Sequence, residues 1–376
     1  HQIDGKPTLD QGLHVHPAHG LHAAEAVGGN PRRDIRNTHR GRSLPSRSLS
    51  DPPRIPPLVP LVAPRGSQGG AGLAGRYYRA MHPILLALLA TPTLAYAQGQ
   101  FDGARAEVYK TASDTELHLH LFEPPGHDPK KDQRPAIVFF FGGGWKSGTP
   151  AQFEQHARYL ASRGMIAAVA DYRVERRQKT TPRECVADGK SAVRYLRHNA
   201  RRLGIDPNRI AAGGGSAGGH VAATTGMCDG FDDPNDPMKD RISSKSNALV
   251  LFNPVYDNGP EGYGHDRVKD WFPAISPAHN ITKDDPPAVV FLGTKDRLIP
   301  VATARKFQEN MKALGLTSEL HLYKGEPHGF FNEGRSSFET FADTLRKMDA
   351  FLVMTGFLEG KADEGAIKAV SGKGGL

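Results

Sequence analysis

The stretch Ala136-Ile137-Val138-Phe139-Phe140-Phe141 is apolar at every position and stops at Gly142-Gly143-Gly144. A strand with one wet face alternates apolar and polar residues, so an unbroken run of this length describes a strand covered on both faces. Residues 165–170 read as the next buried strand, and further strands are predicted at 209–213, 248–252, 288–292 and 319–323. Helical patterns lie between them. Thr149 as N-cap, Pro150 at N1 and Gln152 at N3 predict a helix from about 150 to 163, stopped by Gly164. Thr181-Pro182-Arg183-Glu184 repeats the capping logic before Val186, Ala192, Val193 and Leu196 at helical spacing, in a helix ending near Gly204. Further helices are predicted over 301–314 and 337–354. Strands alternating with helices predict an α/β fold with a mainly parallel central sheet, right-handed crossovers and helices on both faces. A polar, hairpin-like stretch at 105–123 precedes the first long strand.

The formal net charge of +8 is unevenly placed: residues 1–80 hold 11 Lys+Arg against 5 Asp+Glu, leaving +2 on the remainder. A body this close to neutral gives no electrostatic footprint for nucleic acid or an anionic membrane. Residues 1–80 also carry 11 Gly and 10 Pro, a composition that predicts a disordered or non-native leader. Met81 is the first methionine; the apolar run Ile84 to Ala90 and Ala95-Tyr96-Ala97 after it predict a signal peptide over 81–97 and a secreted or periplasmic protein. The run is far shorter than the roughly 20 residues that span a bilayer, so no stable membrane anchor is expected. From residue 98, one large α/β domain is expected to about 358, followed by a flexible Gly- and Lys-rich tail over 359–376. Two cysteines, Cys185 and Cys228, make no disulfide framework, and their helices predict two free, buried thiols.

The strand at 209–213 runs into Gly214-Gly215-Ser216-Ala217-Gly218, a G-x-S-x-G followed by the helix formers Ala222 and Ala223. Small residues two positions either side of Ser216 let the backbone turn sharply, so that the hydroxyl stands at a helix N-terminus where partial positive charge favours a developing anion. Asp296 follows the strand at 288–292, and His328 follows the strand at 319–323. A histidine there is placed to take the proton of Ser216, with Asp296 fixing its tautomer. Two competitors are weaker: Asp257 follows the strand one earlier, and His220 projects from the same helix as Ser216 and reads as a packing or supporting residue. Backbone N–H groups of Gly143, Gly144 and Ala217 are the candidate oxyanion donors.

With this order of Ser, Asp and His, the chain resembles the α/β-hydrolase superfamily, in particular hormone-sensitive-lipase-like esterases and the acetyl and feruloyl esterases that act on plant polysaccharides. The resemblance covers about residues 105–356. Two positions depart from it: Phe141 stands where the family has the His of His-Gly-Gly-Gly, and Gly215 where many lipase-like members carry Asp. It implies the α/β-hydrolase fold and a serine ester hydrolase acting through an acyl-enzyme, with no metal or organic cofactor. Its substrates would be short-chain acyl or hydroxycinnamoyl esters, as small molecules or linked to carbohydrate. The segment 253–277, with Tyr256, Tyr263, Trp271 and Phe272, is long enough for a cap, and Trp145, Phe330 and Phe331 are candidates to line the pocket. The acidic loop holding Asp229, Asp232, Asp233 and Asp236 lacks calcium-loop spacing and reads as a solvated turn. The alternatives are a serine peptidase or amidase with the same triad, and a non-catalytic binding protein on the same fold.

Overall fold

The computed structural model describes residues 101–371. The leader and signal segment expected over 1–80 and 81–97 lie outside the described residues.

The described chain runs β1 (Arg105–Ala112), β2 (Thr115–Phe122), β3 (Arg134–Phe140), a 3-10 turn (Pro150–Phe153) leading into α1 (Glu154–Ser162), β4 (Ile166–Ala170), α2 (Pro182–His198), β5 (Ile205–Gly215), α3 (Ala217–Met227), β6 (Ala248–Phe252), β7 (Ala288–Gly293), α4 (Val301–Ala313), β8 (Ser318–Tyr323), α5 (Phe338–Met354) and α6 (Glu364–Ser371). The strands form one sheet in the order β1-β2-β4-β3-β5-β6-β7-β8. β1 and β2 are the antiparallel hairpin, β2 pairs antiparallel with β4, and every pairing from β4 to β8 is parallel.

The unbroken apolar runs follow from this arrangement. On one face Val138, Phe140, Ala212, Leu249, Leu251, Val290 and Leu292 pack with Val193 and Leu196 of α2, Val221 of α3 and Phe307 of α4. The alternate residues Ile137, Phe139, Ala211, Val250, Phe252, Val289 and Phe291 pack on the other face with Leu160 of α1, Leu345 and Met348 of α5 and Ile367 of α6. Successive side chains point to opposite faces, so two covered faces require an apolar residue at each position. Helix α3 is buried along its whole length, which its Ala and Gly content permits.

Local differences from the sequence reading have physical causes. Thr149 makes no side-chain cap and the first turn is 3-10; Gln152, expected to bond back to the helix start, instead accepts from Gly142 N after β3. Glu184 does close the turn at Thr181, its carboxylate accepting from the Thr181 N–H at 2.8 Å and from its hydroxyl at 2.5 Å. Within the tail expected to be flexible over 359–376, residues 364–371 form α6, which buries Ile367 and Val370 against α1 and α5. Arg163 ties this end down, donating to Asp349 at 2.7 Å and to the Glu359 carbonyl at 2.7 Å. The acidic loop is not a solvated turn: Asp232 and Asp236 pair with Arg194, and Asp233 with Lys110 and Arg173. Cys185 and Cys228 are free and buried. Among the described residues no helix is long and apolar enough to cross a membrane.

Candidate active site

The C-terminal ends of β3, β5, β6, β7 and β8 lie side by side in the sheet, and each opens into a loop that carries one part of the site. Ser216 stands between β5 and α3 with φ 54° and ψ −122°, a sparsely populated conformation for a non-glycine residue. It persists because the turn is tied on both sides: the Ser216 N–H donates to Phe252 O at 2.9 Å, and its carbonyl accepts from Val255 and His220. Gly218 is required by the approach of β3, since a Cβ there would lie 2.0 Å from Phe140 O. Gly215 answers a different neighbour. A Cβ at 215 would lie 2.3 Å from Phe331 Cζ, so the ring of Phe331 fills the room that an Asp at this position would need.

The Ser216 hydroxyl lies 2.9 Å from His328 Nε2, and His328 Nδ1 lies 2.7 Å from Asp296 Oδ2. With Nδ1–H donating to the carboxylate, Nε2 is left as acceptor for the Ser216 proton. Asp296 Oδ1 accepts from the N–H groups of Leu298 at 2.8 Å and Ile299 at 3.0 Å. Burial pushes its carboxyl up, but hydrogen bonds from His328, Ile299 and Leu298 outweigh that and hold it below its ordinary value. Asp257 is not at this centre. Its carboxylate accepts from Gly259 N and sits 3.9 Å from His279.

His220 is fully buried, its Nε2–H donating to Ile275 O at 2.8 Å and its Nδ1 accepting from the Trp145 indole at 3.3 Å. Burial, only partly offset by the Ile275 carbonyl, pulls its pKa down to about 4, so it is a neutral packing residue at ordinary pH.

The N–H groups of Gly143, Gly144 and Ala217 donate to no acceptor among the described residues. The loop holding the first two is fixed at three points. Tyr172 stacks on Phe141 at 4.1 Å and its hydroxyl donates to Phe141 O at 2.6 Å. Gln152 accepts from Gly142 N at 2.5 Å, and the Arg267 guanidinium, lying over Trp145, donates to Gly144 O. An aromatic stack thus stands where the resembling family uses a histidine.

A cavity of about 380 Å³ opens over Ser216 and His328. Phe331 lines it, whereas Trp145 and Phe330 do not: both are buried in the packing beneath. Of the expected cap residues only Tyr263 reaches the cavity, and Tyr256 is buried in a stack on Phe307. Gln152, Leu298, Asn332 and Arg335 also line it and were not found from sequence. Asn332 and Arg335 lie four and seven residues past His328 on one loop, a nearness that was the available signal.

The chain resembles several solved structures of esterase 2 from Thermogutta terrifontis. It is 45% identical to that protein phosphoramylated by tabun, with TM-score 0.66, covering 69% of this chain and 97% of the other. It is 44% identical to the propionate-bound form, with the same TM-score and coverage of 70% and 98%. The chain belongs to the esterases of the α/β-hydrolase superfamily. Within this superfamily, the BD-FAE family model matches residues 119–260 and that of the dienelactone hydrolase family residues 260–360. Among curated α/β-hydrolase relatives, Esterase LipC of Mycobacterium tuberculosis is 31% identical over 220 residues, 52% of this chain and 53% of that protein. The chain spans about half the length of the curated relatives it matches.

Proposed function

We propose that this protein is a serine carboxylic ester hydrolase working through an acyl-enzyme. The observation that carries this reading is the continuous hydrogen-bonded line Ser216–His328–Asp296 beside undonated backbone N–H groups. His328 Nε2 takes the Ser216 proton as Oγ attacks the ester carbonyl, and Asp296 stabilises the imidazolium that forms. The carbonyl oxygen, now negative, is received by the N–H groups of Gly143, Gly144 and Ala217. His328 then returns the proton to the departing alcohol, and the reverse sequence with water releases the acid.

The substrates are short-chain acyl or hydroxycinnamoyl esters, free or carried on plant polysaccharide. Support comes from the mixed lining: Leu298, Phe331 and the Tyr263 ring offer apolar contact, while Gln152, Asn332 and Arg335 interrupt any long apolar path. Propionate and butyrate are bound in structures of the Thermogutta esterase. The sequence of residues 81–97 supports secretion or a periplasmic location.

The test compares p-nitrophenyl butyrate, methyl ferulate, acetylated xylan and an aminoacyl anilide as substrates for the native chain and for Ser216→Ala. Hydrolysis of the esters that Ser216→Ala abolishes supports the reading. Faster turnover of the anilide than of every ester would make the protein an amidase, and equal rates for native chain and variant would remove Ser216 from the chemistry.

A further inference from the structure

The end of β6 carries an asparagine that the catalytic line above does not use. Asn253 is fully buried, and its Nδ2 donates to Asp296 Oδ2 at 2.7 Å, the same oxygen that receives His328. We propose that Asn253 is a positioning residue, whose amide fixes the Asp296 carboxylate in the plane that aligns His328 with Ser216. This inference rests on the function proposed above.

Three observations point the same way. First, the Asp296 carboxylate is filled on both sides: Oδ1 takes the Leu298 and Ile299 N–H groups, and Oδ2 takes His328 and Asn253. Removing the amide leaves Oδ2 held by the histidine alone, the group it is meant to orient. Second, Asn253 has φ 42° and precedes Pro254, a context that disfavours helical conformations. Asparagine tolerates this left-handed backbone better than most residues, but strain of this kind persists only where surrounding structure enforces it. Third, Asn253 Oδ1 is buried with no hydrogen-bond partner among the described residues, while Nδ2 is spent on Asp296. An unpaired buried carbonyl is costly, so the bond from Nδ2 to Asp296 is the side chain's one polar contact among the described residues. The backbone completes the arrangement. Phe252 O and Val255 N bracket Ser216, and Asn253 N donates to Phe291 O at 2.8 Å, so three residues of the stretch 252–255 tie the turn holding the nucleophile to the strand that leads to the acid.

The ionisable neighbours are few. Arg335 and Tyr263 share the cavity with His328, Glu326 lies two residues before it, and Lys295 and Arg297 flank Asp296 and are exposed. None of them pairs with the Asp296 carboxylate, whose partners are Asn253, Leu298, Ile299 and His328.

The test uses the whole chain and two variants. In Asn253→Ala, kcat for p-nitrophenyl butyrate is expected to fall about tenfold with KM within about twofold, the pattern of a misaligned catalytic group. The downfield proton resonance of His328 Nδ1–H should shift or broaden as its acceptor loosens. Asn253→Asp keeps the shape and donates to Asp296 only while protonated. Above its ionisation it loses the donor and sets a second negative charge against Asp296. The ratio of variant to native kcat/KM is therefore expected to fall as pH rises from about 5 to about 9. A purely structural asparagine would leave kcat and the resonance at native values in Asn253→Ala. If Asn253→Ala does not fold, Asn253→Ser is measured in the same way. A flat ratio for Asn253→Asp, or native kcat and an unchanged resonance in folded Asn253→Ala, overturns the inference. If those results appear while Ser216→Ala is inactive, only the role of Asn253 is lost; if Ser216→Ala remains active, the proposed function itself fails.

Discussion

The guanidinium of Arg267 donates to the carbonyl oxygen of Gly144 while lying 4.8 Å above the Trp145 ring, so a residue of the segment 253–277 holds the loop that carries the candidate oxyanion donors. Arg267→Ala is expected to lower kcat about tenfold and change KM little, because loop order matters most when charge develops on the carbonyl oxygen. Steady-state kinetics on p-nitrophenyl butyrate checks this. An increase in KM alone would make Arg267 a substrate contact instead.

Ser216→Ala should lower kcat on the order of 10³-fold or more, with His328→Ala nearly as damaging and Asp296→Asn somewhat less so. Asp257→Asn should retain native kcat, since its carboxylate is spent on Gly259 N and lies away from His328. Loss of activity in Asp257→Asn with retention in Asp296→Asn would reverse the assignment of the acid.

Esters of acetate to butyrate should be hydrolysed well and those of C12 or longer poorly. A buried methylene adds about 0.8 kcal/mol only along a continuous apolar path, and Gln152, Asn332 and Arg335 break that path here. A kcat/KM that climbs steadily from C2 to C16 would contradict this reading of the lining.

His156 sits among the rings of Phe139, Phe153, Phe252, Phe331 and Phe341, and neither ring nitrogen has a hydrogen-bond partner among the described residues. Burial alone pulls its pKa from 6.5 down to about 3. Its folded pKa lies below the unfolded one, so between these values the unfolded chain binds the extra proton and stability falls as pH drops, by up to about 1.4 kcal/mol per pH unit. Melting curves of His156→Leu should show a smaller loss between pH 7 and pH 4 than the native chain. Parallel losses would mean that other groups govern acid sensitivity.

Ile367→Ala should destabilise the protein by about 2–5 kcal/mol, since Ile367 is fully buried against the sheet-covering layer. Urea titration measures it, and a loss under about 0.5 kcal/mol would show that α6 is dispensable to the fold.

Much of the layered fold was legible because it rests on local signals. β6 matches its apolar run residue for residue, and the capping turn at Thr181 formed as its residue types require. Ser216, Asp296 and His328 were findable because each follows a strand end, where parallel sheets place their loops. What could not be read was set by partners distant in the chain. Nothing local to Gln152 shows that it will bond Gly142, and nothing in Trp145 or Phe330 distinguishes a ring beneath a pocket from one lining it. The helix α6 was missed because its composition is that of a tail. Its two apolar anchors matter only once α1 and α5 provide a surface.

The occupancy of one space by Phe331 and a side chain at 215 has a consequence for how such chains diverge. An aspartate at 215 and the Phe331 ring in its present place exclude each other, so a lineage passing between the two arrangements must move or shrink residue 331 before it enlarges residue 215. The reverse order passes through a clash at the turn holding Ser216. The identity of residue 331 therefore gates which substitutions at 215 are accessible, and the two positions should vary together across relatives of this chain.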